Sequence, residues 1–219
     1  MAAKKRIGIL ISGRGSNMLS LIAAAREADY PAEIVCVLSN RPEAGGLAHA
    51  SAHGIATQAI DHKGFDTREA FEEQLDAALR AADVEIVACA GFMRKMTAGF
   101  VDRWRDRMLN IHPSLLPAFK GLDTHARALA AGVKLAGCTV HIVRPELDAG
   151  PIIAQAAVPI LPDDTPALLA TRVLEAEHLL YPHALSLFAS GRAVIEGELI
   201  KIVQVPVNQA KPLYWPPLS

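Results

Sequence analysis

Residues 6–11 form a β-branched apolar run that breaks off at Ser12-Gly13-Arg14-Gly15-Ser16-Asn17. A helical pattern follows directly, with Leu19, Ile22 and Ala23 on one face, and ends near Asp29-Tyr30-Pro31. This strand, small-residue turn and helix set a rhythm that the next eighty residues keep. A strand over 33–38 stops at Ser39-Asn40-Arg41-Pro42, and a helix over 46–53 leads through Gly54 to a strand over 56–60. A helix over 67–82 carries Ala70, Phe71, Leu75, Ala78 and Leu79 on one stripe and precedes a strand over 84–90. Strands alternating with helices at this spacing imply a parallel sheet with right-handed crossovers. Composition agrees: 51% of the residues are hydrophobic but only 5% aromatic, so aliphatic side chains carry the burial, as in strands covered on both faces.

The second half is less regular. Gly91-Phe92-Met93-Arg94-Lys95-Met96 reads as a loop, followed by a short helix over 98–104 and a strand over 107–111. That strand runs into His112-Pro113-Ser114-Leu115-Leu116-Pro117, where two prolines forbid regular structure. A helix over 124–131, a strand over 136–143, a turn over 144–151 and a strand over 152–158 come next. The helix expected over 165–190 has Pro166 in its first turn, and Pro182 should kink or divide it. A hairpin around Gly197 joins strands over 193–195 and 199–203. Residues 206–219 are proline-rich and expected to be irregular, with Tyr214 and Trp215 clipping back onto the core. No internal repeat and no linker marks a domain boundary.

A net charge of −1 argues against a nucleic-acid partner, which needs a basic surface. The apolar stretch after the basic start is too short for a signal-peptide core or a membrane span, which predicts a cytoplasmic protein. Cys36, Cys89 and Cys138 are far apart and lie in apolar runs, as buried thiols in a reducing compartment do.

Three segments carry chemistry. The glycine loop can aim backbone N–H groups at an anion. It superficially matches a dinucleotide fingerprint, but the third glycine is missing; Asn40-Arg41 stands where an acid would hold the ribose of NAD, which leaves an NADP reading open. At 110–117, Asn110 and His112 alternate at a strand end and so point to one side. His donates a proton near neutrality and Asn donates a hydrogen bond without titrating, and both suit a developing oxyanion. The third segment, Glu146-Leu147-Asp148-Ala149-Gly150-Pro151, matters if it folds towards His112, because a carboxylate within ~4–6 Å favours a protonated imidazole. Ser114 lacks the Gly-x-Ser-x-Gly elbow of a nucleophile, and no His or acid spacing suits a metal.

Together, Ser12 to Asn17, Ala90-Gly91-Phe92-Met93-Arg94, residues 110–117, residues 146–151 and Glu177-His178 resemble the folate-dependent formyltransferase family, in family order across residues 7 to about 190. The Asn-x-His and Ser-Leu-Leu-Pro signature looks similar throughout formyl transfer, including transfer-RNA formyltransferases and formyltetrahydrofolate hydrolases. The glycine loop and short length select members that act on glycinamide ribonucleotide.

The resemblance implies a single Rossmann-like α/β domain over 1–219, with a mostly parallel central sheet, helices on both faces and a mixed sheet towards the C-terminus. Residues 1–110 would be the phosphate-binding half, 111–205 the catalytic and folate-binding half, and 206–219 a tail. The implied reaction moves a formyl group from 10-formyltetrahydrofolate, as cosubstrate, to the amine of 5-phosphoribosylglycinamide in purine biosynthesis, without a metal. Gly15, Ser16 and Asn17, with Met18 and Leu19, would hold the ribose phosphate, and Glu177 would contact the glycinamide. Arg68, Met93, Arg94, Lys95, Met96, Asn110 and the loop Arg144-Pro145-Glu146-Leu147-Asp148 would hold the folate. Asn110, His112 and Asp148 would form the catalytic trio. Asp123 stands where some members carry His. Partners would be small molecules only, with no nucleic acid or membrane, in a monomer or homodimer. The alternatives are a formyltetrahydrofolate hydrolase and, on the glycine loop alone, an NADP-binding oxidoreductase.

Overall fold

A computed structural model describes residues 3–203 and 215–216. The alternation expected from the sequence is present: β1 (Lys5–Ile11), α1 (Ser16–Ala25), β2 (Ala32–Ser39), α2 (Gly45–Ala52), β3 (Ala56–Ala59), α3 (Arg68–Ala81) and β4 (Ile86–Cys89). Then come α4 (Ala98–Arg103), β5 (Met108–His112), α5 (Thr124–Ala130), β6 (Leu135–Ile142), β7 (Ile152–Pro159), α6 (Pro166–Ala189), β8 (Ala193–Glu196) and β9 (Leu199–Ile202). Helix starts follow capping chemistry. Thr67, Thr97 and Thr165 each accept a hydrogen bond from the backbone N–H three residues on, and Pro166 occupies the first turn of α6.

Seven strands form one sheet in the order β3-β2-β1-β4-β5-β6-β7. The pairings from β3 to β5 are parallel, and β5–β6 and β6–β7 are antiparallel. The sheet is therefore mostly parallel and turns mixed at its C-terminal end. Strands β8 and β9 pair separately as the expected hairpin.

Period-two alternation divides β1 between two cores. Ile7, Ile9 and Ile11 join Met18, Leu21 and Ile22 of α1 and Tyr181, Ala184 and Leu185 of α6 on one face. Leu10 joins Phe71, Leu75 and Leu79 of α3 with Phe100 and Trp104 on the other. Each fully buried aliphatic side chain of this kind contributes about 1.5–3 kcal/mol. Helices thus cover both faces.

Pro182 does not divide α6, which runs unbroken for 24 residues. Its buried stripe continues through Pro182, with Val173 and Glu177 before it and Ala184 and Leu185 after it. Packing of both halves outweighs the one helical hydrogen bond that proline removes. The Pro182 carbonyl accepts from Tyr30 Oη at 2.7 Å, and Tyr181 Oη donates to Cys89 O at 3.0 Å, which pins α6 to the end of β4. No helix among the described residues is long and apolar enough to cross a membrane. The expected irregular tail lies mostly outside the described residues, as does Tyr214. Trp215 does pack back, donating from Nε1 to Ile160 O at 3.1 Å.

Candidate active site

β1 and β4 are neighbours in the sheet although two strands separate them in sequence. The chain therefore leaves their C-terminal ends in opposite directions and opens a crevice, the usual place for a ligand in such sheets. A cavity of about 750 Å³ lies there, within the range of small-molecule sites. It is lined by Asn17, Met93, Arg94, Lys95, Met96, Asn110, His112, Arg144, Pro145, Glu146, Leu147, Asp148 and Glu177, all expected from the sequence. Gly15, Ser16, Met18, Leu19 and Arg68 are not among its lining residues. Met18 is fully buried in the core with Leu19 packed beside it, and Arg68 begins α3 on the surface.

Gly15 caps α1 at φ 77°, a left-handed turn that favours glycine, and no side chain caps the helix. The first N–H groups of α1 are thus left for an anion. Asn17 Nδ2 donates to Glu177 Oε2 at 2.7 Å, while Asn17 Oδ1 is buried without a partner. Burial pushes the Glu177 carboxyl above its ordinary pKa, and the Asn17 bond offsets this only in part.

The cluster around His112 follows from register. Asn110 and His112 lie on one face of β5, and antiparallel pairing sets His141 opposite Asn110. Asn110 Nδ2 lies 3.3 Å from His141 Nε2. His141 Nδ1 donates to Ile142 O at 3.0 Å, so Nε2 of the neutral ring is the acceptor for Asn110. Burial lowers the His141 pKa, outweighing its backbone bond and Asp148, which favours that neutral form. Asp148 sits at φ 48° in the β6–β7 turn. That turn folds back tightly because Gly150 lies against the Ile142 carbonyl, where any Cβ would collide.

Asp148 Oδ2 accepts from Gly121 N at 2.8 Å and lies 3.5 Å from His112 Nδ1, with both side chains under a tenth exposed. Asp148 Oδ1 is 3.9 Å from His141 Nε2. His112 Nε2 donates to Phe119 O at 3.1 Å. Both imidazole nitrogens therefore face oxygen acceptors. His125 lies close by, its Nε2 buried and unpartnered and its pKa lowered by burial and then by His112.

Several further residues have structural partners. The Arg144 guanidinium pairs with Asp106 Oδ1 at 2.8 Å and Glu198 Oε2 at 3.0 Å, so it anchors its loop to the β8–β9 turn. Ser114 Oγ donates to Ala118 O at 2.7 Å and shapes the loop. Cys36, Cys89 and Cys138 are buried and free, their thiols pushed up to about 11, 12 and 12 mainly by burial. His141, His125, the Phe119 carbonyl and the Gly121 N–H were not singled out as site groups from sequence. Only the antiparallel register reveals His141, and the two backbone groups carry no side-chain signal.

The sequence model of the formyl transferase family matches residues 5–185. A Drosophila melanogaster protein, "Trifunctional purine biosynthetic protein adenosine-3", is 47% identical over 90% of this chain, which spans only 15% of that protein's length. The Escherichia coli (strain K12) "Phosphoribosylglycinamide formyltransferase" is 42% identical over 85% of this chain and 88% of its own. Among solved structures, glycinamide ribonucleotide transformylase 1 from Symbiobacterium toebii superposes with a TM-score of 0.89 at 44% identity, covering 92% of this chain and 95% of that one. With most of its length matched by that family and by such relatives, the chain belongs to the formyl transferase family.

Proposed function

We propose that the chain transfers the formyl group of 10-formyltetrahydrofolate to the amine of 5-phosphoribosylglycinamide, a step of purine biosynthesis. The observation that carries this reading is that Asn110, His112 and Asp148 line the same cavity as the Asn17–Glu177 pair. Hydrogen-bond donors in the first group suit an oxyanion, and acceptors in the second suit an amine.

The ribose phosphate binds at the start of α1, at Gly15, Ser16 and Asn17. The unpartnered Asn17 Oδ1 and the Glu177 carboxyl accept from the glycinamide. The folate lies along Met93 to Met96 and the loop 144–148, where Met93, Leu122 and Leu147 expose apolar side chains suited to a flat ring. Arg144 supports that loop from behind.

The amine nitrogen attacks the formyl carbon, whose oxygen gathers negative charge. His112 Nε2 exchanges the Phe119 carbonyl for that oxygen, and Asn110 donates beside it. Asp148, beside His112 Nδ1, orients the imidazole. The bond from the formyl carbon to the folate nitrogen then breaks, and that nitrogen takes up, through water, the proton that the amine releases. No covalent bond to the protein forms.

The deciding experiment supplies 10-formyltetrahydrofolate with and without phosphoribosylglycinamide. Formylated glycinamide and tetrahydrofolate should appear in equal amounts, and only with both present. Equally rapid deformylation without the amine would establish a hydrolase instead.

A further inference from the structure

Ser12 is the first residue after β1 and the root of the glycine loop, yet its hydroxyl serves a different loop. The β1–β4 ladder pairs Leu10 with Cys89 and continues through Ala90 N to Leu10 O at 2.9 Å and Ser12 N to Gly91 O at 3.1 Å. Gly91, at φ 78°, then turns the second chain away. Beyond that turn the Ser12 side chain takes over from the ladder, with Oγ accepting from Met93 N at 2.8 Å. The one hydroxyl proton goes to Asn40 Oδ1 at 2.6 Å, so only a lone pair is left to face Met93. Asn40 is held in turn, since its backbone carbonyl accepts from His62 Nδ1 at 2.8 Å. Ser12 and Asn40 are 4% and 1% exposed, so the bond between them is shielded from water. The far end of the same loop is tied by Glu72, whose buried carboxylate accepts from Thr97 N at 2.8 Å and from the Thr97 hydroxyl.

We propose that Ser12, with its hydroxyl oriented by Asn40, is a positioning residue that fixes Met93, and with it the folate-binding segment 93–96, to the root of the phosphate-binding loop. This rests on the functional reading above. A neutral hydrogen bond to the part-buried Met93 backbone donor governs how much of the unliganded protein has that segment in place. Its loss therefore weakens folate binding and leaves the chemistry at His112 alone.

The test is Ser12→Ala in the full chain, with 10-formyltetrahydrofolate varied at saturating phosphoribosylglycinamide. The KM for folate should rise on the order of tenfold, the affinity equivalent of one buried hydrogen bond, while kcat and the other KM stay within about threefold. Asn40→Ala leaves the hydroxyl but lets it rotate, so it should raise the folate KM less. Because Asn40 acts through Ser12, the double variant should be no worse than Ser12→Ala. A merely structural role would lower Tm and the active fraction without moving the folate KM. A soundly folded Ser12→Ala with unchanged folate KM, or additive effects in the double variant, overturns the proposal. If Ser12→Ala gives no soluble protein, an unchanged folate KM in Asn40→Ala overturns it. Wild-type protein that makes no use of the folate would instead sink the functional reading itself.

Discussion

Replacing Asp148 with asparagine removes a charge and keeps the shape. The carboxylate lies 3.5 Å from His112 Nδ1, with both groups nearly buried, and also receives the Gly121 N–H at 2.8 Å. At an effective dielectric of about 20, a unit pair at that distance interacts by about 5 kcal/mol, an upper bound on what the ion pair supplies. Solvation and relaxation reduce it, and charged hydrogen-bonded pairs typically contribute about 1.5–3 kcal/mol. At 1.36 kcal/mol per decade this corresponds to a kcat loss of roughly 10- to 200-fold. An asparagine oxygen can still accept from Gly121, so the loop and the folate KM should change by less than about threefold. Steady-state kinetics with both substrates, alongside a thermal melt, separates the two jobs of Asp148. A kcat within about threefold of wild type in a normally folded Asp148→Asn would refute the argument that this charge supports His112. A large rise in folate KM with kcat intact would show that the charge acts on the folate-binding loop rather than on His112.

Three further outcomes are expected. His141→Phe removes the acceptor that orients Asn110, and kcat should fall about 10- to 100-fold with both KM values nearly unchanged; His141→Gln, which restores an acceptor, should recover most of it. Glu177 has its folded-state pKa raised by burial above the ordinary 4.5, so its contribution to stability is complete below that value and declines as pH rises through the folded pKa. Melts of Glu177→Gln between pH 4 and 8 should lack that decline, and the variant should bind phosphoribosylglycinamide less well. Gly150→Ala forces a Cβ against the Ile142 carbonyl and should cost about 1–3 kcal/mol in chemical denaturation while lowering kcat, since Asp148 shares the displaced turn.

The elements that local chemistry encodes were legible without coordinates. The break after Ile11, the helices expected from about 67, 98 and 165, and the alternation of Asn110 with His112 depend on neighbours a few residues away, and the observed strands and helices follow them closely. That Pro182 does not divide α6 was not legible, because the rule that proline interrupts a helix is local while the buried stripe holding α6 together is not. The ion pairs of Arg144 were not legible for a similar reason. Its partners, Asp106 and Glu198, come from the end before β5 and from the β8–β9 turn, and nothing in the loop's own residues announces them.

The amino-acid sequence by itself determined which residue types stand at strand ends, where the helices begin, and that a mostly parallel sheet follows. The tertiary structure alone decided which of these ends meet. Strand order put the loop after β1 beside the loop after β4, and antiparallel register set His141 against Asn110. Chain closure over 160 positions brought Asn17 to Glu177. Such meetings depend on the burial of whole faces and the entropy of closing long loops, which are properties of the collapsed chain rather than of any segment within it.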